Sequence, residues 1–279
     1  MRPPIVELPR TLMARAVYAW ILFVLVYFFA HNSLVHQWRQ PPLIYPEADN
    51  TYWLLHALYI PQAIMRSAVL SALFDAVLVG SVTLFLVFPR RVVFCALSVA
   101  ALWLYEIMYG SANGHHYHHV GLLLLPLPFL ARAPMKFYFS WSIVRYWVLF
   151  LFVCSGVYKL YYGGFFFENN MALVLRQHAL EGHGWQSSLM FRLIDHPAMA
   201  QRLYQATTIL QIACAIGFFT RRYDTLILGL LLLFNLSNIF ILNIPFWDNS
   251  LMIAPFLPWA SIRRWRSALD RTPTALTKK

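Results

Sequence analysis

Charge is scarce in this 279-residue chain: only 12% of its residues are Asp, Glu, Lys or Arg. That is about half the share of an average soluble domain. Hydrophobic residues make up 60%, and mean hydropathy is positive, so too little polar surface exists to clothe a soluble fold. Acidic residues are the scarcest, 11 against 22 Lys and Arg, for a formal charge of +11. No basic groove interleaved with exposed aromatics and no nucleic-acid motif accompanies that charge, so nucleic acid is not an expected partner. Cysteine is also rare. Cys95, Cys154 and Cys214 lie far apart, each in an apolar run and with no CxxC spacing. This excludes a disulfide framework or zinc knuckle and leaves buried spectator thiols. No internal repeat, linker or low-complexity stretch divides the chain; only its extreme C-terminus reads as disordered.

What the chain has instead is long apolar runs. A spanning helix needs roughly 20 mostly apolar residues, and candidates cover 13–31, 67–88, 92–109, 117–133, 142–162, 203–220, 223–243 and, shorter, 250–262. The first is too long for a signal-peptide core and lacks a small-x-small cleavage site, so it reads as an uncleaved span. Basic clusters alternate with the runs. Arg2, Arg10 and Arg15 precede the first, Arg90 and Arg91 separate the second from the third, and Arg132 and Lys136 follow the fourth. Arg221 and Arg222 separate the sixth from the seventh, and Arg263, Arg264 and Arg266 follow the eighth. If every run crosses, all these clusters share one side, which the positive-inside rule makes cytoplasmic, with both termini.

The expected fold is therefore all-α: a polytopic transmembrane helix bundle of about eight segments, residing in a bacterial cytoplasmic membrane. It is read as one domain over residues 1–279, with a core at 13–262 and a basic cytoplasmic tail at 263–279. Two long outward connections, 32–66 and 163–202, are expected to form short interfacial helices on the extracytoplasmic face. Within the second, Asp195 is expected to cap a helix whose first turn holds Pro197.

Ionisable groups inside such runs are costly and point to function by default. Asp75, Glu106, the histidine cluster in GHHYHHV at 114–120, and Lys159 are of this kind, and the alternation above brings all of them to the extracytoplasmic side. Asp75 reads as a paired structural residue, the histidines and Lys159 as chemistry. Two chemistries fit. His115, His118 and His119 form H-x-x-H-H, and His178 with His183 forms H-x4-H; such boxes resemble those of membrane desaturases and hydroxylases, where imidazole suits iron. A third box is absent and the order is reversed, so a metal is not the expected cofactor. Alternatively, the apolar setting VCSGVYKLYY disfavours the charged form of Lys159 and frees its amine to act as a base. A histidine nearby would exchange protons near neutral pH. Tyrosines such as Tyr117, Tyr158 and Tyr162 suit a flat aromatic ligand reached from the bilayer, and equally an ordinary interfacial belt.

At these residues the chain resembles the horizontally transferred transmembrane (HTTM) family, typified by vitamin K-dependent gamma-carboxylase. Three places carry the likeness: NGHHYHHVGLL at 113–123, SGVYKL at 155–160, and FNLSN at 234–238 leading through Ile244, Pro245 and Phe246 to LMIAPF. The resemblance covers residues 15–262. It implies that Lys159 takes a proton from reduced vitamin K or another quinol, with His116 as proton partner and His115 as its alternative. Glu106 would orient the histidine or pair with the lysine. His115, Tyr117, His118, Tyr158, Tyr162 and Asn238 would surround the substrate. The implied partners are membrane lipid, a lipid-soluble quinol and a peptide or protein substrate on the extracytoplasmic side. The chain departs from the family pattern at Tyr161 (an Asp there), Gln211 (an acid) and Asn235 (a histidine), and lacks the large lumenal portion that holds the carboxylase's protein substrates. Quinol chemistry is accordingly expected before glutamate carboxylation. The alternatives are a histidine-ligated, metal-dependent membrane oxidoreductase and a non-enzymatic accessory factor for export or maturation.

Overall fold

The structure, a computed structural model, describes residues 9–38, 50–113, 120–167, 169–179, 185–242, 247 and 249–262. Regular structure among them is entirely helical. The helices gather into two compact units, one built from the described residues up to Ser140 with those from Pro258 onward, the other from Trp141 to Leu257.

The first unit holds α1 (Arg10–Ala30), α2 (Asn50–Ala57), α3 (Ile60–Arg66), α4 (Ala68–Val87), α5 (Val92–Asn113) and α6 (Val120–Leu124). A short turn folds α5 back onto α4, and α1 packs beside α4. Tyr18, Ile21 and Leu25 of α1 bury against a core that also takes Leu78, Val82 and Phe85 of α4 and Leu102 of α5. Helices in lipid gain little from apolar burial against one another, so tight packing and polar hooks hold them together. Here the hook is the Tyr18 hydroxyl, 2.8 Å from Ser98 Oγ and 3.3 Å from Cys95 Sγ. Other buried hydroxyls are satisfied within their own helices: Ser81 donates to Leu78 O and Ser98 to Cys95 O, as a water-poor setting demands.

The second unit takes most of α7 (Pro134–Tyr161), then α8 (Asn170–Ala179), α9 (Trp185–Asp195), α10 (Pro197–Ala213), α11 (Ile216–Phe219) and α12 (Asp224–Leu242), followed by a 3-10 stretch at Asn249–Phe256. Leu175 and Ala179 of α8, Met190 and Leu193 of α9, and Ala200 of α10 form one buried cluster.

Among the described residues, five helices are long and apolar enough to cross a membrane: those beginning at Arg10, Ala68, Val92, Pro134 and Asp224. This is the make-up of a multi-pass membrane protein, and the five correspond to the first, second, third, fifth and seventh expected runs. The other three runs take different forms. The fourth is the short α6 and a 3-10 turn at Leu127–Leu130, because Pro126 and Pro128 cannot continue an α-helix. The sixth breaks between α10 and α11, and α10 carries Gln201, Gln205, Thr207, Thr208 and Gln211. The eighth winds as a 3-10 stretch with Pro255 inside it. Short helices do occupy both long connections, as α2, α3, α8 and α9. Asp195, however, closes α9 instead of capping α10; His196 holds the N-cap position without a side-chain bond, and Pro197 supplies the first-turn φ. Cys154 is exposed on α7, not buried like Cys95 and Cys214, since it falls on the face turned away from the unit's interior.

Candidate functional site

Lys159 sits in the last turn of α7, and three features of the sequence aim it. Gly156 lies one turn earlier, where a Cβ would come 2.7 Å from Ile212 Cγ1 and 3.2 Å from Gln211 Cβ. Only glycine lets α7 come this near α10. Beyond Tyr161 the chain turns through Gly163, whose φ of +75° suits the residue that follows a helix C-terminus. Two glutamines of α10 then hold that turn. Gln201 Nε2 donates to Gly164 O and Phe165 O, each at 3.0 Å, and Gln205 Nε2 donates to Phe165 O at 3.0 Å. Gln201 Oε1 in return accepts from the Met171 N–H at 3.4 Å, at the start of α8.

Held this way, Lys159 Nζ donates to Gln211 Oε1 at 2.9 Å and lies 5.2 Å from the centroid of the Tyr204 ring, a cation–π distance. Among the described residues of this unit, no carboxylate pairs with it. Its oxygen partner is an uncharged amide, which solvates an ammonium without fixing its charge.

Gln211 is buried, and it also lines a cavity of about 250 Å³ between α7, α10 and α12. Phe152, Leu210, Leu230 and Phe234 make its apolar walls; Thr207 and Ser237 add hydroxyls. Leu210 and Leu233 at its rim are exposed, so the opening faces the surroundings of the apolar helices. Lys159 is not itself in the lining. The Gln211 amide stands between the amine and the cavity.

Further back on α7 is a second cation, Arg145, which the sequence reading passed over although it interrupts the apolar run WSIVRYWVLF. Its side chain is 2% exposed. Nε donates to Asp224 Oδ2 at 3.2 Å, Nη2 to the other carboxylate oxygen and to Gly217 O at 3.0 Å, and the Phe256 ring lies 5.5 Å away.

The remaining candidates divide as follows. Asp75 is buried and structural, as expected. Its Oδ2 accepts the His36 N–H and meets His36 Nδ1, both at 2.7 Å, and Oδ1 accepts the Val35 N–H at 3.4 Å. Glu106 is buried on α5 of the first unit, whereas Lys159 and Asn238 belong to the second. Asn238 is buried on α12 and does not line the cavity, although its neighbour Ser237 does. Tyr158 and Tyr162 are exposed, with ring centroids 4.2 Å apart, and do not line the cavity. His115, His116, Tyr117, His118, His119 and His183 lie outside the described residues, as does the tail at 263–279; His178 lies on α8. Among the described residues, no three of His, Cys, Asp and Glu gather as metal ligands would. Gln201 and Gln205 escaped the sequence reading because amides carry no charge to stand out in an apolar run; Gln211 was noted there only as a departure from the family's acid. Compared with known proteins, the chain matches no family model, no curated protein and no solved structure.

Proposed function

We propose that this protein is a multi-pass membrane enzyme of the HTTM kind, acting on a quinol-like, lipid-soluble aromatic that enters the cavity between α7, α10 and α12 from the bilayer. One observation carries the reading. An amine with no carboxylate partner among the described residues of its unit is hydrogen-bonded at 2.9 Å to an amide that lines an apolar cavity. The cavity is near the small end for ligand pockets, room for a ring whose tail stays in lipid. A quinol would supply an acidic hydroxyl. Neutral Lys159 reaches past the Gln211 amide to that hydroxyl and takes the proton, becoming an ammonium as the oxygen becomes an anion. Gln211 and the Tyr204 ring then solvate the ammonium. The family resemblance assigns the return of that proton to His116.

Extraction of lipid from the purified protein tests the reading, with mass spectrometry for quinones. Wild type is expected to retain a quinone, and Ala206→Trp, which fills the cavity from its lining, to lose it. Equal quinone in both proteins, or none in either, would sink the proposal.

A further inference from the structure

In the first unit, four arginines surround one cavity of about 520 Å³. Arg10 opens α1, Arg90 and Arg91 occupy the turn between α4 and α5, and Arg132 follows the 3-10 turn after α6. Among the described residues, no acidic side chain is in the lining. A charge bias toward one membrane side explains basic residues near the surface; it does not explain their convergence from three chain segments upon a single hollow. Like charges so placed repel one another unless an anion sits among them.

Two further features point the same way. Arg10 is fixed in advance: Nη2 donates to Phe129 O at 2.8 Å, Nη1 to Arg132 O at 3.1 Å, and the guanidinium lies 5.5 Å from the centroid of Phe137. Preorganised guanidinium suits a phosphate oxygen better than a mobile side chain does. In addition, α1 and α5 both begin at this cavity, through Arg10 with Thr11 and through Val92 with Val93, and neither has an acidic residue in its first turn. Helix N-termini favour negative charge, and these two first turns supply none. Val87, Phe88 and Val93, beside the arginines, are large, apolar and more than half exposed.

We infer that this cavity is a binding site for a phosphate group, carried by an anionic phospholipid whose acyl chains lie along Val87, Phe88 and Val93. Arginine pockets between membrane helices are suited to such headgroups. The site is independent of the Lys159 cavity and of any reaction there.

Native mass spectrometry of the full chain in detergent tests it, with phosphatidylglycerol, phosphatidylcholine and inorganic phosphate as separate probes at constant ionic strength. Phosphatidylglycerol is expected to bind better than phosphatidylcholine. Replacing exposed Arg90 and Arg91 together by Gln is expected to weaken it on the order of 30-fold, and Arg132→Gln alone about fivefold. Lys136→Gln removes an exposed charge outside the lining and should leave binding unchanged. If inorganic phosphate binds as tightly as phosphatidylglycerol and is lost in the same variants, the phosphate site stands and the lipid source is overturned. Equal retention of both lipids, indifference of binding to the Arg90 and Arg91 replacements, or an equal loss with Lys136→Gln overturns the site itself. Unfolding temperature without lipid, matched to wild type, identifies variants that remain folded.

Discussion

Arg145 and Lys159 are two cations on one helix, about 21 Å apart along its axis, and the molecule treats them in opposite ways. Arg145 is enclosed. Both oxygens of Asp224 and the carbonyl of Gly217 take its protons, and aromatic rings cover it. Lys159 is half-buried against one uncharged amide and one ring. A buried guanidinium with a matched carboxylate locks α7 to the start of α12. An amine whose partners among the described residues are Gln211 and the Tyr204 ring can change its charge without leaving an orphaned anion behind. Among the described residues, then, one cation of α7 has a counter-charge and the other has none, and the proposed base is the second.

The sharpest way to break that contrast is to remove each cation in turn. Arg145→Met leaves the Asp224 carboxylate without its partner, and losing one member of a buried pair costs about 3–5 kcal/mol. A large fall in unfolding temperature in detergent is the expected result, partly recovered when Asp224→Leu is added. Lys159→Met deletes one hydrogen bond to a neutral acceptor, worth about 1 kcal/mol. Equal losses from the two single variants would mean that Lys159 is as structural as Arg145. Between these lies Gly156→Val. Its new side chain would collide with Ile212, already 2.7 Å from an ideal Cβ, and overpacking of this kind costs about 1–3 kcal/mol. Because the collision parts α7 from α10, quinone retention should fall together with stability; a fall in stability alone would detach the Gly156 approach from the cavity.

How much of this could be read from the sequence depends on whether the signal was local. Helices such as α4 and α12 were legible because each is an unbroken apolar run of spanning length, a property of neighbours in the chain. Lys159 and Asp75 stood out for the same reason, as charges within such runs. Arg145 sent an identical signal, but it falls in the early part of a run already accounted for by Lys159, and its partner Asp224 follows the Arg221–Arg222 pair that marked a boundary. The sixth run misled because the polar residues of α10 serve distant groups: Gln205 within the run and Gln201 just before it hold the turn at 164–165, and Gln211 meets Lys159 across a separation of 52 positions. No period or composition encodes such a partnership. The His36–Asp75 pair, 39 residues apart, was equally invisible as a pair, although the need of Asp75 for some partner followed from physics alone.

The smallest predicted effect on stability is also the one that tests the contrast most directly. Gln211→Glu gives Lys159 the counter-charge that Arg145 already has. Desolvation and attraction nearly cancel in a buried ion pair, so unfolding temperature should change little. Reactivity should change more. The neutral amine is the species that attacks an acylating reagent, and a carboxylate 2.9 Å away holds the side chain as an ammonium. Competitive acylation at constant pH, followed by mass spectrometry of the peptide bearing Lys159, is expected to slow on the order of tenfold in Gln211→Glu, with Lys159→Met confirming the labelled position. Labelling at the wild-type rate would show that the uncharged amide does nothing to keep the amine available. The role of Lys159 as a base would then lose its physical ground, even with a quinone in the cavity.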